Sequence, residues 1–301
     1  MSTHSPSAPL RVVLVGCGGF AGYHARRLNE MPDAQLVACV DVNEAIVAAF
    51  IARHVPDLKP APAIETDMSA ALTRHRPDAV VIVTPHTLHF QQAMTALDAG
   101  CHVFIEKPMV TSIKDAVALE RAVEWAGKVL VVGYNTSCTP EFDYLRRVIR
   151  DPHGPIGLGE LQMVSGSLSQ NWMNWTKGKW RQDPALSGGG MTYDTGAHLL
   201  NSLCWSVESH VKQVYAMVDN LGTPVDINSA INIRFENGVV ATLVITGNCP
   251  SESARLTFFF TGGRIDIDGW YGGWIEVHNA YGRVKYPKVK TELRGQSGLE
   301  N

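Results

Sequence analysis

RVVLVGCGGFA, residues 11–21, runs a short apolar strand straight into a glycine-rich turn. Gly16, Gly18 and Gly19, with Ala21 in the last place, match the G-x-G-x-x-G/A pattern that follows the first strand of a dinucleotide-binding βαβ unit. Small residues at these places let the backbone approach a pyrophosphate, whose charge then faces the positive end of the next helix. Residues 20–29, beginning at Phe20, read as that helix. Ala21, His24, Ala25 and Leu28 recur on one face of it, as packing on a sheet demands. Asp41 stands about 23 residues beyond Gly18, at the end of a second apolar run, Leu36 to Val40. An acidic side chain there can accept both adenosine-ribose hydroxyls, and it repels a 2′-phosphate. Neither Val42 nor Asn43 offers an arginine to neutralise such a phosphate, so NAD is favoured over NADP.

Outward from this unit, Ala79 to Val83, Val103 to Ile105 and Val129 to Val132 are further apolar runs too short for helices, most of them followed by longer periodic segments. This is the texture of a parallel sheet with crossover helices. Ser112 and Asp115 have capping-box spacing, and Thr139 before Pro140 reads as a helix cap with proline at the first position. Beyond about residue 150 the pattern changes to strands separated by turn residues: Leu161 to Leu168, Val211 to Val218, Ser229 to Phe235, Val239 to Thr246, Arg255 to Phe260 and Trp274 to Val277. Glu236, Asn237 and Gly238 form a hairpin turn between two of them. Ser187 to Gly190 looks like a mobile, hinge-like run. The predicted fold is α/β: an N-terminal doubly wound parallel sheet of Rossmann type over 1–136, then an α+β domain on a mostly antiparallel sheet over 137–301.

With 301 residues, 45% apolar and 18% charged, the chain has the make-up of a globular protein with ample core. A formal charge of −3 provides no general attraction for nucleic acid or anionic lipid. Six scattered cysteines without a C-x-x-C pair suggest a reducing compartment, and no His, Cys and carboxylate set has metal-ligand spacing. Met1 to Pro9 lacks the features of a signal peptide and no run reaches membrane-span length, so the expected location is the cytoplasm.

Thr84 and Pro85 follow one strand, and Glu106, Lys107 and Pro108 follow another, at the carboxyl edge where open α/β sheets bind ligands. The chain resembles the glucose-fructose oxidoreductase, inositol dehydrogenase and MocA family. The resemblance runs through GCGGFAGYH (16–24), TPHTLH (84–89), AGCHVFIEKP (99–108), VVGYN (131–135) and GGGMTYDTGAH (188–198). It implies that Gly16, Gly18, Gly19, Phe20, Asp41, Thr84, Pro85, His89, Glu106, Lys107 and Asn135 bind the cofactor, and that Lys107, Asp194 and His198 carry the chemistry.

Spacing agrees on one point. Asp194 and His198 lie four apart in a helical pattern, one turn apart on one face, although a helix cap beside a core histidine has the same spacing. Histidine suits proton transfer near neutral pH. Trp172, Trp175, Trp180, Arg181 and Tyr193 are candidates for stacking on, or bonding to, a sugar, with packing or a subunit contact as the competing role. The expected activity is hydride transfer between NAD and a secondary alcohol of a sugar, glycoside or inositol. Glycosidic cleavage through transient oxidation and a silent NAD-binding regulator are the alternatives. The family implies a homodimer or homotetramer through the second sheet, and a further helix beyond a stretch like Gly295 to Asn301.

Overall fold

A computed structural model describes residues 8–270, 273–280 and 284–285. The chain divides into two compact units, Met1–Gly133 and Tyr134–Asn301. The Gly295 to Asn301 stretch lies outside the described residues.

In the first unit six parallel strands, β1 (Leu10–Val15), β2 (Ala34–Val40), β3 (Ala63–Glu65), β4 (Ala79–Ile82), β5 (His102–Ile105) and β6 (Leu130–Val132), lie in the order β3-β2-β1-β4-β5-β6. Strand order reverses between β1 and β4, and the crevice at such a switch point is where this architecture takes its ligand. Helices α1 (Ala21–Glu30), α2 (Glu44–His54), α3 (Met68–His75), α4 (His89–Asp98) and α5 (Ile113–Ala126) connect the strands. The α1 face expected from periodicity is buried at Ala21, His24, Ala25 and Leu28. Ser112 caps α5 by accepting the Asp115 amide at 3.1 Å. The short strand β3 and the helices α2 and α3 have no counterpart among the sequence expectations.

The second unit holds α6 (Pro140–Arg150), α7 (Trp172–Trp175), α8 (Pro184–Ser187), α9 (Met191–Asp194) and α10 (Gly196–Val207) with strands β7 (Leu161–Ser169), β8 (Val211–Asp219), β9 (Asn228–Phe235), β10 (Val240–Thr246), β11 (Ser253–Phe260), β12 (Gly263–Asp268), β13 (Ile275–Asn279) and β14 (Val284–Lys285). The sheet order is β14-β13-β12-β11-β7-β10-β9-β8. Its pairings are antiparallel except for β7 with β10. The inner face, including Ile231, Ile233, Phe235, Leu243 and Ile245, forms one core with Phe142 and Leu145 of α6 and Leu199 and Leu203 of α10. Alternation puts Val244 on the other face, in register across Ala230 with Met217. Strand β8 is exposed along its length, with Tyr215 at 69% and Met217 at 75%. Among the described residues, no helix is long and apolar enough to cross a membrane.

The glycine run before α9 departs from its expected looseness. Gly190 donates to Asp226 Oδ1 at 2.6 Å, Thr192 donates to Oδ2 at 2.7 Å, and the Met191 amide reaches the Asp226 carbonyl at 2.8 Å. A Cβ on Gly190 would stand 2.0 Å from that carbonyl oxygen. The glycine is there for close packing, and the segment is pinned rather than hinged.

Candidate active site

In the first unit the dinucleotide loop is built by two constraints. Gly16 takes φ +93°, and a Cβ there would stand 2.5 Å from the Val83 carbonyl oxygen and 3.0 Å from Thr84 Cγ2, so the loop lies directly against the end of β4. A Cβ on Gly18 or Gly19 would meet nothing within 4 Å, which leaves their surface open to a ligand. Phe20 precedes α1 with no side-chain cap, and the first turn holds no acid, so neither neutralises the positive helix end. Asp41 Oδ2 accepts the Cys17 amide at 3.0 Å and thereby ties β2 to the loop. A carboxylate has about four acceptor positions, so ribose hydroxyls can still be received. These residues fit a dinucleotide.

Thr84 and Pro85 follow β4, and Thr84 Oγ1 donates to Gln92 Oε1 at 2.5 Å. Glu106 and Lys107 follow β5, both partly exposed, and the Lys107 amide donates to Glu106 Oε2 at 3.1 Å. His89 takes a different place from the cofactor lining expected of it. It is fully buried, with Nδ1 2.9 Å from the Pro108 carbonyl oxygen and Nε2 3.0 Å from that of Thr84. It braces the two turns from behind. Burial lowers its pKa, against the opposing pull of those carbonyls and the Glu106 carboxylate.

In the second unit Asp194 ends α9, and His198 lies in the first turn of α10, beyond Thr195, whose backbone stays helical. The 194-to-198 spacing is therefore one helical turn, as expected. Asp194 is buried, and its Oδ2 accepts Trp172 Nε1 at 2.9 Å and Arg181 Nε at 3.0 Å. Such charge-assisted bonds hold a carboxylate firmly. The His198 ring stands edge-on to Tyr134, 6.0 Å between centroids, and 6.1 Å from Trp270. Asn135 and Tyr193 are partly exposed, and burial raises the Tyr193 phenol.

Of the two roles open to Trp172, the structure shows packing: it is 3% exposed within the core, and its indole N–H donates to Asp194. Arg181 remains partly exposed, lying over Trp180 at 4.5 Å while paired with Asp194. Sequence reasoning missed Asp226, which fixes the backbone ahead of Asp194, and the His24–Glu106 pair described below. Neither has a local signal, because each partner is brought in from a distant element. It also missed Asp266, Glu276 and His278, which pairing of β12 with β13 brings together. There Thr257 Oγ1 donates to Asp266 at 2.6 Å and Arg264 Nε at 2.9 Å, which makes the group an ion-pair network.

Residues 10–134 match the model of an oxidoreductase family described as an NAD-binding Rossmann fold, and residues 156–266 match the GFO/IDH/MocA C-terminal domain. The chain belongs to the GFO/IDH/MocA family. Its first unit is the NAD-binding Rossmann domain of this oxidoreductase family. Among its relatives, 4-carboxy-2-hydroxymuconate-6-semialdehyde dehydrogenase of Sphingobium sp. is 25% identical over 83% of this chain and 75% of that protein. D-glucoside 3-dehydrogenase of Escherichia coli is 26% identical over 67% of this chain, and the match spans just over half, 55%, of that protein's length. The solved structure of levoglucosan dehydrogenase, a complex with NADH and levoglucosan, superposes with a TM-score of 0.81 at 22% identity, covering 93% of this chain and 80% of that one. That last likeness is one of fold.

Proposed function

We propose that this GFO/IDH/MocA protein is an NAD-dependent dehydrogenase acting on a secondary alcohol carbon of a sugar, glycoside or inositol. The observation that carries the reading is the rigid start of α9 and α10, where Asp226 pins the backbone and Asp194 is locked by Trp172 and Arg181, one turn before His198. Preorganisation of this kind is what a catalytic pair requires. Bound NAD supplies the acceptor for a hydride leaving carbon. His198 takes the hydroxyl proton as general base, and its ring is suited to the task near neutral pH. Lys107 stabilises the developing alkoxide with its ammonium charge, and Asp194 orients the substrate or the imidazole. In the reducing direction the same groups return the proton. Arg181 and Tyr193 are the remaining candidates for substrate hydroxyls. The names of the D-glucoside and levoglucosan relatives support the substrate class. The test is a panel of sugars, glycosides and inositols with NAD while reduced nicotinamide is followed; no NADH from any member removes the reading.

NAD is the preferred nucleotide because the Asp41 carboxylate faces the place of the 2′-phosphate. Asp41→Ala is expected to narrow the NAD-over-NADP preference about 10- to 100-fold, read as paired dissociation constants by fluorescence titration. An unchanged ratio would show that Asp41 does not select the nucleotide.

We further infer a homodimer or homotetramer through the outward face of the second-unit sheet, supported by Tyr215, Met217 and Val244, the last 50% exposed. A contiguous apolar patch of this sort commonly marks an interface. Light scattering on the eluted protein should give a multiple of the chain mass, reduced by Met217→Glu; a monomeric wild-type protein refutes it.

A further inference from the structure

We infer that His24 is a positioning residue: through the Glu106 carboxylate it ties α1, the helix that opens at the dinucleotide loop, to the turn that carries Lys107. The His24 ring is 2% exposed and packs among Phe20, Tyr23 and Phe104, at centroid distances of 5.4, 5.7 and 5.2 Å. Its Nε2 lies 2.7 Å from Glu106 Oε1, on a carboxylate only 12% exposed. The other carboxylate oxygen accepts the Lys107 amide. Gly133, after β6, completes the seat. A Cβ there would stand 3.1 Å from Oε1 and 3.2 Å from Cδ, so the absence of a side chain lets the carboxylate lie against the backbone.

The proton of the imidazole follows from the same contacts. Nδ1 of His24 is buried with no hydrogen-bond partner among the described residues. A proton on that nitrogen would be a buried donor left unsatisfied, which is costly, whereas Nε2–H has an anionic acceptor. Nε2 therefore carries a proton and donates to Glu106. One buried bond thus fixes Glu106, Glu106 fixes the Lys107 amide, and His89 independently holds the far end of the turn at Pro108. Lys107 thus leaves from a turn that this contact ties to α1. The catalytic consequence rests on the role proposed for Lys107, but the positioning does not and is read without turnover.

The experiment uses the full chain without substrate: trace acylation by acetic anhydride, with each lysine's rate read by peptide mass spectrometry. In His24→Leu the rate at Lys107, relative to the exposed Lys114 and Lys212, is expected to change about threefold or more, while His24→Gln, which restores a donor near Nε2, returns it toward wild type. General loosening of the fold is read separately, as a lowered melting temperature. Nitrogen-15 NMR of the wild-type ring should show Nε2 protonated. An unchanged Lys107 rate in folded His24→Leu, or an Nε2 without a proton, overturns the inference. If His24→Leu does not fold, Glu106→Gln decides by the same ratio. A shifted Lys107 rate in a protein that oxidises none of the panel would uphold the positioning while removing the proposed reaction.

Discussion

His198→Asn is expected to lower kcat for alcohol oxidation about 10²- to 10⁴-fold, the usual contribution of a positioned general base. Asparagine keeps a polar side chain of similar reach but cannot take a proton at neutral pH. Nucleotide affinity should change no more than about threefold, because the dinucleotide residues are untouched. The pH profile makes the assignment specific. In the wild-type protein kcat/KM should fall on the acid side as the base is protonated, and in His198→Asn this limb should vanish rather than shift. Lys107→Met should produce a comparable loss by removing the cation from the alkoxide. Near-normal turnover in both variants would eliminate the mechanism, even if NAD still bound.

Gly16→Ala is expected to weaken NAD binding more than about 100-fold, as two costs fall on one methyl group. At φ +93° an L-residue is strained by about 1–2 kcal/mol. The new Cβ would also meet the Val83 carbonyl oxygen at 2.5 Å, a backbone atom at the end of β4 that cannot swing aside. Relief requires the loop to move off β4, which takes the Cys17 amide from Asp41 and displaces the open surface at Gly18 and Gly19. Gly18→Ala is the informative companion, because a Cβ there meets nothing within 4 Å of the protein. It should fold normally and affect affinity only through contact with the dinucleotide. Calorimetric titration of both variants, with melting temperatures alongside, separates the cases; wild-type affinity in folded Gly16→Ala would contradict the role of this contact.

The dinucleotide unit was readable because its evidence is local. An apolar strand, glycines that permit a tight turn, a helical face at Ala21, His24, Ala25 and Leu28, and an acid closing β2 all lie within one βαβ stretch. Most strands of the second sheet were readable for the same reason, through alternation and the Glu236–Gly238 turn. Strand β12 has no counterpart among the sequence expectations; its Gly263, Asp266 and Asp268 leave it less apolar than the neighbouring β11. The spacing of Asp194 and His198, one helical turn, could be read from the chain, but their pairing in a site came from the family resemblance.

Their surroundings could not. Whether an indole at residue 172 stacks on a sugar or is consumed by a carboxylate depends on which way α7 faces. That follows from the packing of the core around Trp172, not from any periodicity. Asp226 is 36 residues from the Gly190 amide it holds, and Glu106 is 82 residues from His24. Contacts at that separation have no pattern along the chain, because the side-chain positions on each partner are set by its own helix or strand. What the amino-acid order determined was where chain direction, turn and helix end place a nucleotide; what only the folded chain decided was which buried groups hold Asp194 and the Lys107 backbone in place. The first is a matter of backbone conformation over neighbouring residues, the second of three-dimensional proximity and exclusion of water.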